Sequence, residues 1–390
     1  MFQVWIRGVG AICSAGNGLT EVVAAAKAGL CTFGTPTFTP TLASDAFIGE
    51  AKFAVQQPTR SHDILKAALE EAMKDSCLPE RAWRRAGIFV GTTSGFSQSL
   101  DVENARQLER QETAARNSCP GVGLVAEAVA KITGAQGPQY TFTTACTSSC
   151  IAAMEAWRMI SEGDIDTAIV VGFESLLNIT FLGFKSMMLY DEKGCRPFDR
   201  NRSGMTLGEG SGVLILSKEA PSDDTSEFSC EILGASSLTE SGNLAAQARD
   251  GSSGDVLWER LTQAGKFLKS DVTAVKVHGT GTMDNDISEA AAMRRVFPRP
   301  EQFPPFVGLK GLIGHTLGAA AGIEIALWTG FVRAGFLPKS VGFEVPDPDL
   351  GISLSKTLLP APAGIHVLQF FGFGGSSAAI ALRYHRAAII

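Results

Sequence analysis

Nowhere do the 390 residues hold an apolar run of the roughly 18 to 20 positions that a membrane-crossing helix needs. The first residues, MFQVWIRGVGAICSAG, have no basic segment ahead of a long apolar stretch, so no signal peptide is expected. A CxxC pair is also missing. The eight cysteines (Cys13, Cys31, Cys77, Cys119, Cys146, Cys150, Cys195, Cys230) are scattered, which fits reduced thiols better than a disulfide framework. The expected address is therefore the cytoplasm. HExxH and Cys/His ligand clusters are absent, which speaks against a catalytic metal, and without GxxxxGK[ST] the chain has no P-loop. Basic excess is lacking as well. With 34 Lys and Arg against 40 Asp and Glu, the net charge of −6 argues against general nucleic-acid binding. Low-complexity segments are absent, and 45% hydrophobic with 19% charged residues describes an ordinary globular protein. The length suggests two domains or two halves around a large core.

What is present is an alternation of strands and helices. VWIRGVGAI reads as a strand entering a Gly turn, and Gly18–Leu30 as a helix. Gly8-Val-Gly10-Ala-Ile-Cys13 resembles the start of a dinucleotide fingerprint but fails at the third glycine. Ser61–Leu78 is an amphipathic helix with Ser61 as the expected N-cap. AGIFVGTTSG follows as a buried strand, and Gln98 to Arg116 as a polar helical excursion over the surface. Gly121–Ala135 is a helix that leads into the strand QYTFTTA, and DTAIVVGFESL is a further buried strand. APSDDTSE, Ala220 to Glu227, is the most linker-like stretch. Beyond it the pattern restarts: strand FSCEILGAS, helix GDVLWERLTQAGKFLK, strand AVKVHGTGT, helix SEAAAMRRVF, then GLKGLIGHTLGAAAGIEIALWTGFV. Strands around ISLS and HVLQFFGFGGSSAAIALRY close the chain. This alternation predicts an α/β fold with mostly parallel sheets.

Three places carry chemistry. In TTACTSSCIAAMEAW, Cys146 stands between a strand end and a helix start. Free N–H groups and the positive end of the helix dipole there favour a thiolate nucleophile. The same stretch is compatible with a small buried cysteine. Only five histidines exist. His278 ends the strand AVKV ahead of Gly279-Thr280-Gly281-Thr282, and His315 closes Lys310-Gly-Leu-Ile-Gly314 where a helix begins. Each can point into a cavity or be a satisfied turn histidine. His62, His366 and His385 read as surface or edge residues. FFGFGGSSA reads as a strand entering a Gly turn able to present N–H groups to an anion, or as a plain tight turn.

Together TACTSS around Cys146, HGTGT from His278, GLKGLIGHTLGAA from Gly308 and FGFGGSS from Phe371 resemble the β-ketoacyl-acyl-carrier-protein synthases of the Cys-His-His elongating type. RPFDRNRSGMTLGEG is similar to the family's stretch between nucleophile and first histidine, and the resemblance spans essentially the whole chain. It implies a thiolase-like fold, five-layered αβαβα. The two related halves would be residues 1–225, carrying the nucleophile, and 226–390, carrying the histidines. It implies that Cys146 accepts an acyl group, and that the N–H groups of Cys146 and Phe373 form the oxyanion hole. His278 and His315 would donate to the malonyl thioester oxygen as neutral imidazoles. Lys310 would order the site and pair with Glu324, Thr280 and Thr282 would hold the pantetheine arm, and Phe373 would be the gate. No bound cofactor is implied, since substrates ride on the phosphopantetheine of acyl carrier protein.

Ser149 and Ala321 stand where the family often has glycine, and the acyl pocket and dimer face are expected from the compressed stretch Gln98–Pro120. The lean is towards a polyketide or polyene pathway rather than housekeeping fatty-acid synthesis. A homodimer, or a heterodimer with a chain-length-factor relative, is expected, with this chain as the active subunit because it keeps Cys146. The rival is a non-catalytic partner subunit of that chain-length-factor kind. A thiolase would want a second cysteine in the C-terminal Gly turn, and a Cys-His-Asn synthase an asparagine at position 315; neither is found. Arg60, Arg200 and Arg202 are candidates for docking the acidic carrier protein.

Overall fold

The computed structural model describes residues 1–37, 46–53, 59–98, 121–221, 228–241 and 247–386. The first half contributes β1 (Trp5–Cys13), β2 (Gly87–Gly91), β3 (Gln139–Phe142), β4 (Thr167–Glu174) and β5 (Gly210–Ser217). The second contributes β6 (Phe228–Thr239), β7 (Val272–Val277), β8 (Phe306–Gly308), β9 (Gly364–Gly372) and β10 (Ser376–Arg386). They hydrogen-bond in the order β3-β2-β4-β5-β1-β6-β10-β9-β7-β8. Counted outwards from the junction, first, fifth, fourth, second and third strand follow one another in both halves. The halves meet where Trp5 pairs with Glu231 and Ile6 with Cys230.

The sheet is mixed rather than mostly parallel. In each half only the three outer strands run parallel. The inner pairs are antiparallel. Parallel neighbours need a long crossover, whereas β9 and β10 are joined directly by the short turn Phe373–Gly375, which permits only antiparallel pairing.

Helices α1 (Leu19–Ala28), α2 (Arg60–Ser76), α3 (Leu124–Thr133), α4 (Ser148–Glu162), α5 (Asn178–Ser186), α6 (Ser252–Gly265), α7 (Met283–Val296) and α8 (Ala320–Arg333) complete the frame. α2 and α3 cover the outer face of the first half, α6 and α7 that of the second. Between the sheets lie α4 and α8, touching each other and strands of both halves. One apolar cluster fills the outer face of each half and a third fills both faces of the central helical layer, which gives the five layers αβαβα. The sequence of α8 explains its place: Ala320 through Val332 are all buried, and a helix apolar on every side belongs in an interior layer.

Glycine sets the spacing of these layers. A Cβ at Gly91 would lie 2.2 Å from the Ser149 amide of α4, and one at Gly212 2.3 Å from that of Ile323 in α8. Gly8 and Gly10, half of the failed dinucleotide fingerprint, do the same for α2, whose Ala72 and Ala68 carbonyls would each be 2.3 Å from such a Cβ.

Several local expectations shift. α2 begins at Arg60 with Thr59 in the N-cap position, so Ser61 sits inside its first turn. α7 begins at Met283 rather than Ser288, directly after the threonine turn. ISLS forms a single bridge, Leu354 to Phe306, and no strand. His366 is fully buried, contrary to its surface reading; it accepts from Trp328 Nε1 at 3.0 Å and lies 3.0 Å from the Pro362 carbonyl. Residues 99–120, most of the expected excursion and pocket stretch, and 222–227 of the linker fall outside the described residues; Gln98 itself is buried.

Candidate active site

The turn after β3 places Cys146, the expected nucleophile. Ala145 holds a left-handed φ of 52°, rare for a residue with a side chain, and this brings Cys146 round to face the second half. Hydroxyls fix the turn: Ser148 Oγ donates to the Ala145 carbonyl and accepts from the Thr144 amide, while Thr147 Oγ1 donates to the Thr144 carbonyl. A 2.6 Å bond between Thr147 Oγ1 and Ser376 Oγ ties it to the C-terminal Gly turn. Gly372 leaves room there. A Cβ on it would stand 3.0 Å from the Cys146 amide and 3.4 Å from that of Thr147, crowding the space an oxyanion needs. The Phe373 N–H is directed at the Cys146 sulfur. The two expected oxyanion donors thus share one side of the thiol.

The three residues expected to meet do meet. His315 Nε2 lies 3.1 Å from Cys146 Sγ. The rings of His278 and His315 are 5.2 Å apart between centroids and nearly perpendicular, with Phe371 5.8 Å from His278. His315 is held by its backbone, whose N–H donates to the Thr206 carbonyl at 2.7 Å and whose carbonyl accepts from Gly208. That is the structural use of the MTLGEG stretch. The Nδ1 atoms of both rings are buried without a hydrogen-bond partner among the described residues, so whatever enters the cleft selects the tautomer.

Burial, then Lys310, holds both imidazoles well below the ordinary histidine range, so they are neutral. The thiol departs from expectation. Burial pushes Cys146 up to about 11, against the opposing pull of Lys310 and the Phe373 N–H. Desolvation of a residue only 6% exposed outweighs the favourable dipole, and the resting group is a thiol beside a neutral imidazole.

Beneath the histidines lies a buried ionic platform. Lys310 Nζ bonds Glu324 Oε1 at 2.7 Å, as the resemblance implied, and Lys276 pairs with the other carboxylate oxygen. Three of its supports were missed from sequence. Lys276 itself was visible as a lysine in a buried apolar strand, on the same face as His278 by the two-residue period of β7. Glu289 accepts from the His278 and Gly279 amides, and Asp286 from those of Phe198 and Gly281. These two carboxylates lie on α7, and nothing in the sequence pattern separated them from solvated helix charges.

Cys146, His278, His315, Thr280, Thr282 and Phe373 all line one cleft. Thr280 and Thr282 hydroxyls bond each other at 2.8 Å at its wall. The Phe373 ring packs on Phe184 of α5 at 5.5 Å, and Gly374 and Gly375 follow with φ of 80° and 72°. Two docking candidates are overturned. Arg60 is wholly buried against Glu209 and the Ala51 carbonyl, and Arg202 is buried against Asp347 at 2.6 Å and Asp286 at 3.7 Å. Arg200 is exposed.

Comparison with known proteins agrees with this geometry. Residues 41–221 match the family described as "Beta-ketoacyl synthase, N-terminal domain" and 229–344 the corresponding "C-terminal domain". A relative from Streptomyces glaucescens, named tetracenomycin polyketide synthase ketoacyl synthase alpha subunit, is 28% identical over 86% of this chain and 84% of its own. The 3-oxoacyl-[acyl-carrier-protein] synthase 2 of Staphylococcus aureus is 24% identical over 81% of this chain and 82% of its own. Among solved structures, the ishigamide ketosynthase/chain length factor superposes with TM-score 0.86 at 22% identity, over 98% of this chain and 99% of that one. A type II polyketide ketosynthase solved with its acyl-carrier protein gives 0.84 at 20%, over 98% and 99%. With a thiolase-like fold and both halves matched, the chain belongs to the β-ketoacyl synthase family.

Proposed function

We propose that this protein extends carrier-bound acyl chains by two carbons through decarboxylative Claisen condensation with malonyl-acyl carrier protein. The observation that carries the reading is the 3.1 Å approach of His315 Nε2 to Cys146 Sγ inside a cleft shared with His278. The Cys146 thiol passes its proton to His315 and attacks the acyl thioester; the pantetheine thiol leaves with that proton. Charge on the tetrahedral oxygen is taken by the Cys146 and Phe373 N–H groups. The malonyl thioester then enters along Thr280 and Thr282. Its C–carboxylate bond breaks and carbon dioxide departs, and the electron pair enters an enolate whose oxygen receives hydrogen bonds from the neutral His278 and His315. The enolate carbon attacks the acyl-enzyme carbonyl, the C–S bond breaks, and the Cys146 thiolate released takes up a proton from solvent. Phe373 swings on Gly374 and Gly375 between the two half-reactions.

The same reading takes acyl carrier protein as partner, with Arg200 as the remaining docking candidate, and a homodimer or chain-length-factor heterodimer as the assembly. It needs no bound cofactor. A polyketide or polyene pathway is favoured by the resemblance of the chain to the Streptomyces relative and the ketosynthase/chain length factor structures. The halves 1–225 and 226–390 remain our division of the chain, supported by the repeated strand order. The cytoplasm is the proposed address; among the described residues no helix is long and apolar enough to cross a membrane. Purified protein given acyl- and malonyl-carrier protein is expected to yield 3-oxoacyl-carrier protein with release of carbon dioxide. Absence of product, unless a chain-length-factor partner restores it, would favour the non-catalytic subunit.

A further inference from the structure

A second cavity, of about 770 Å³, shares no lining residue with the catalytic cleft. Its floor is the far side of the cleft wall. Cys195 lines it and donates from Sγ to the Thr280 carbonyl at 3.0 Å, and Gly311 lines it directly after Lys310. Four cations surround it: Lys193, Arg196, Lys339 and Lys356. Glu344 is the one carboxylate in its lining. The neighbouring Asp191 and Asp199 are buried and turned to other donors, Asp191 to the Ser203 hydroxyl and the Lys193 amide, Asp199 to the Glu344 and Val345 amides. Glu192 pairs with Lys185. Even with Asp191 and Asp199 counted beside Glu344, the four cations keep a positive excess.

Three of these cations have no acceptor among the described residues: Lys193 is exposed, while Arg196 and Lys339 are half-buried. Only Lys356 is engaged, donating to the Glu344 carbonyl at 2.6 Å and standing 5.6 Å from the centroid of the Phe343 ring. Lys339 does not serve as a helix cap. Its stem crosses Gly29 at the end of α1, where an added Cβ would fall 1.7 Å from Lys339 Cε. The last carbonyls of that helix are closed already, Ala26 by the Gly29 amide and Ala25 by that of Leu30. The stem is held and the ammonium is left over. Partly desolvated cations that converge without acceptors are unfavourable, and an anion between them relieves this.

We propose that this cavity binds a small molecule carrying a diphosphate, held by Lys193, Arg196 and Lys339. Charge selects the group. A diphosphate ester brings about two to three negative charges to these side chains, whereas a single carboxylate would leave two of them unanswered. The Arg196 guanidinium can fork onto two phosphoryl oxygens, and the lysines act as point charges beside it. Shape selects the size. Half-buried cations inside a hollow suit a small ligand, whereas a carrier-protein helix wants cations raised on an open face. Phe33 and the buried Val341 give the organic part of the molecule an apolar wall. The site stands apart from the ketosynthase reading, since none of Cys146, His278 and His315 lines it.

The test uses the whole protein, with ADP as the diphosphate probe, AMP as its single-phosphate counterpart and Cys31 as reporter. Cys31 is exposed and lines the cavity, while Cys77 is exposed at the end of α2 outside it. ADP at about 1 mM is expected to slow the reaction of Cys31 with iodoacetamide about fivefold or more, read by peptide mapping, and to leave Cys77 unchanged. By calorimetry AMP binds about tenfold more weakly than ADP, and Arg196→Met and Lys339→Met each weaken ADP about tenfold, the loss of one charge-assisted contact. Lys66→Met, which removes a charge on α2 away from the cavity, binds ADP like wild type. An unprotected Cys31, equal affinity for AMP and ADP, or Arg196→Met and Lys339→Met proteins that bind like wild type each overturn the proposal. So does protection of Cys31 by acyl-carrier protein lacking its pantetheine arm with none by ADP, which would make the cavity a docking face for that partner. Should a variant not fold, the protection pattern of wild type decides. If wild type makes no 3-oxoacyl product, the ketosynthase reading fails and the diphosphate site is judged separately.

Discussion

At the scale of single residues, the site runs on desolvation. Cys146 is a thiol at rest because burial outweighs Lys310 and the nearby amides, and in the proposed mechanism its proton goes to His315, 3.1 Å away. Its alkylation by iodoacetamide is expected to rise roughly tenfold per pH unit from about pH 7 to pH 9. A plateau reached below pH 8 would mean a preformed thiolate instead. The two histidines should separate in the same way. Because His315 touches the sulfur and His278 does not, His315→Ala is expected to slow both acylation and decarboxylation by about 10²-fold or more. His278→Ala slows decarboxylation alone. Equal acylation by both variants, followed by intact-mass kinetics, would refute the proton-transfer role of His315. The residues bearing this chemistry were legible in sequence because each sits in its own short motif at a strand end. Arg60 and Arg202 were misread because their counter-charges, Glu209 and Asp347, lie 149 and 145 positions away, and charge alone does not report burial. His366 was misread for the same reason, its partner Trp328 being on another element.

At the scale of elements, close approach of backbone to backbone does what side chains cannot. Gly372→Ala places a methyl group 3.0 Å from the Cys146 amide. We expect about a 10²-fold loss in acylation with little change in unfolding midpoint; a normal acylation rate would show that the amide is not an oxyanion donor. Gly212→Ala pushes on the backbone of α8 instead, and should cost about 1 to 3 kcal/mol in urea unfolding, with α8 displaced. An unchanged midpoint would mean that the central layer yields freely. Helices α2, α3, α4 and α8 were visible from periodicity. The start of α7 was not, because Met283-Asp-Asn-Asp reads as turn residues and becomes helical only when Asp286 is bonded by the Phe198 and Gly281 amides.

At the scale of the whole molecule, the repeated strand order explains why two distant loops serve one thiol. Cys146 leads into α4 and His315 leads into α8, and both follow the third strand of their half. Superposing the halves across the junction makes Cys146 and His315 two uses of one position. The α/β alternation and the restart after Glu227 were legible. The antiparallel centre was not, since pairing direction depends on connections that a strand's own residues do not encode. The interior also sets pH tolerance. Burial pushes His366 down to about 4, so its neutral ring contributes stability that is intact above pH 6.5 and is withdrawn as pH falls towards 4, about 3 kcal/mol in all. His366→Phe should therefore be less stable than wild type at pH 7 by urea unfolding, with the gap narrowing by about 2 kcal/mol or more near pH 4.5; a gap independent of pH would contradict the buried neutral ring.

The central claim is that Cys146 carries the growing chain in a cleft whose histidines then decarboxylate the extender. Intact-protein mass spectrometry with peptide mapping, after acyl-carrier protein and then malonyl-carrier protein are added, tests it most directly. An acyl adduct on Cys146 that disappears when malonyl-carrier protein arrives, as carbon dioxide is released, is the predicted result. No adduct, or one on another cysteine that malonyl-carrier protein leaves untouched, would contradict it.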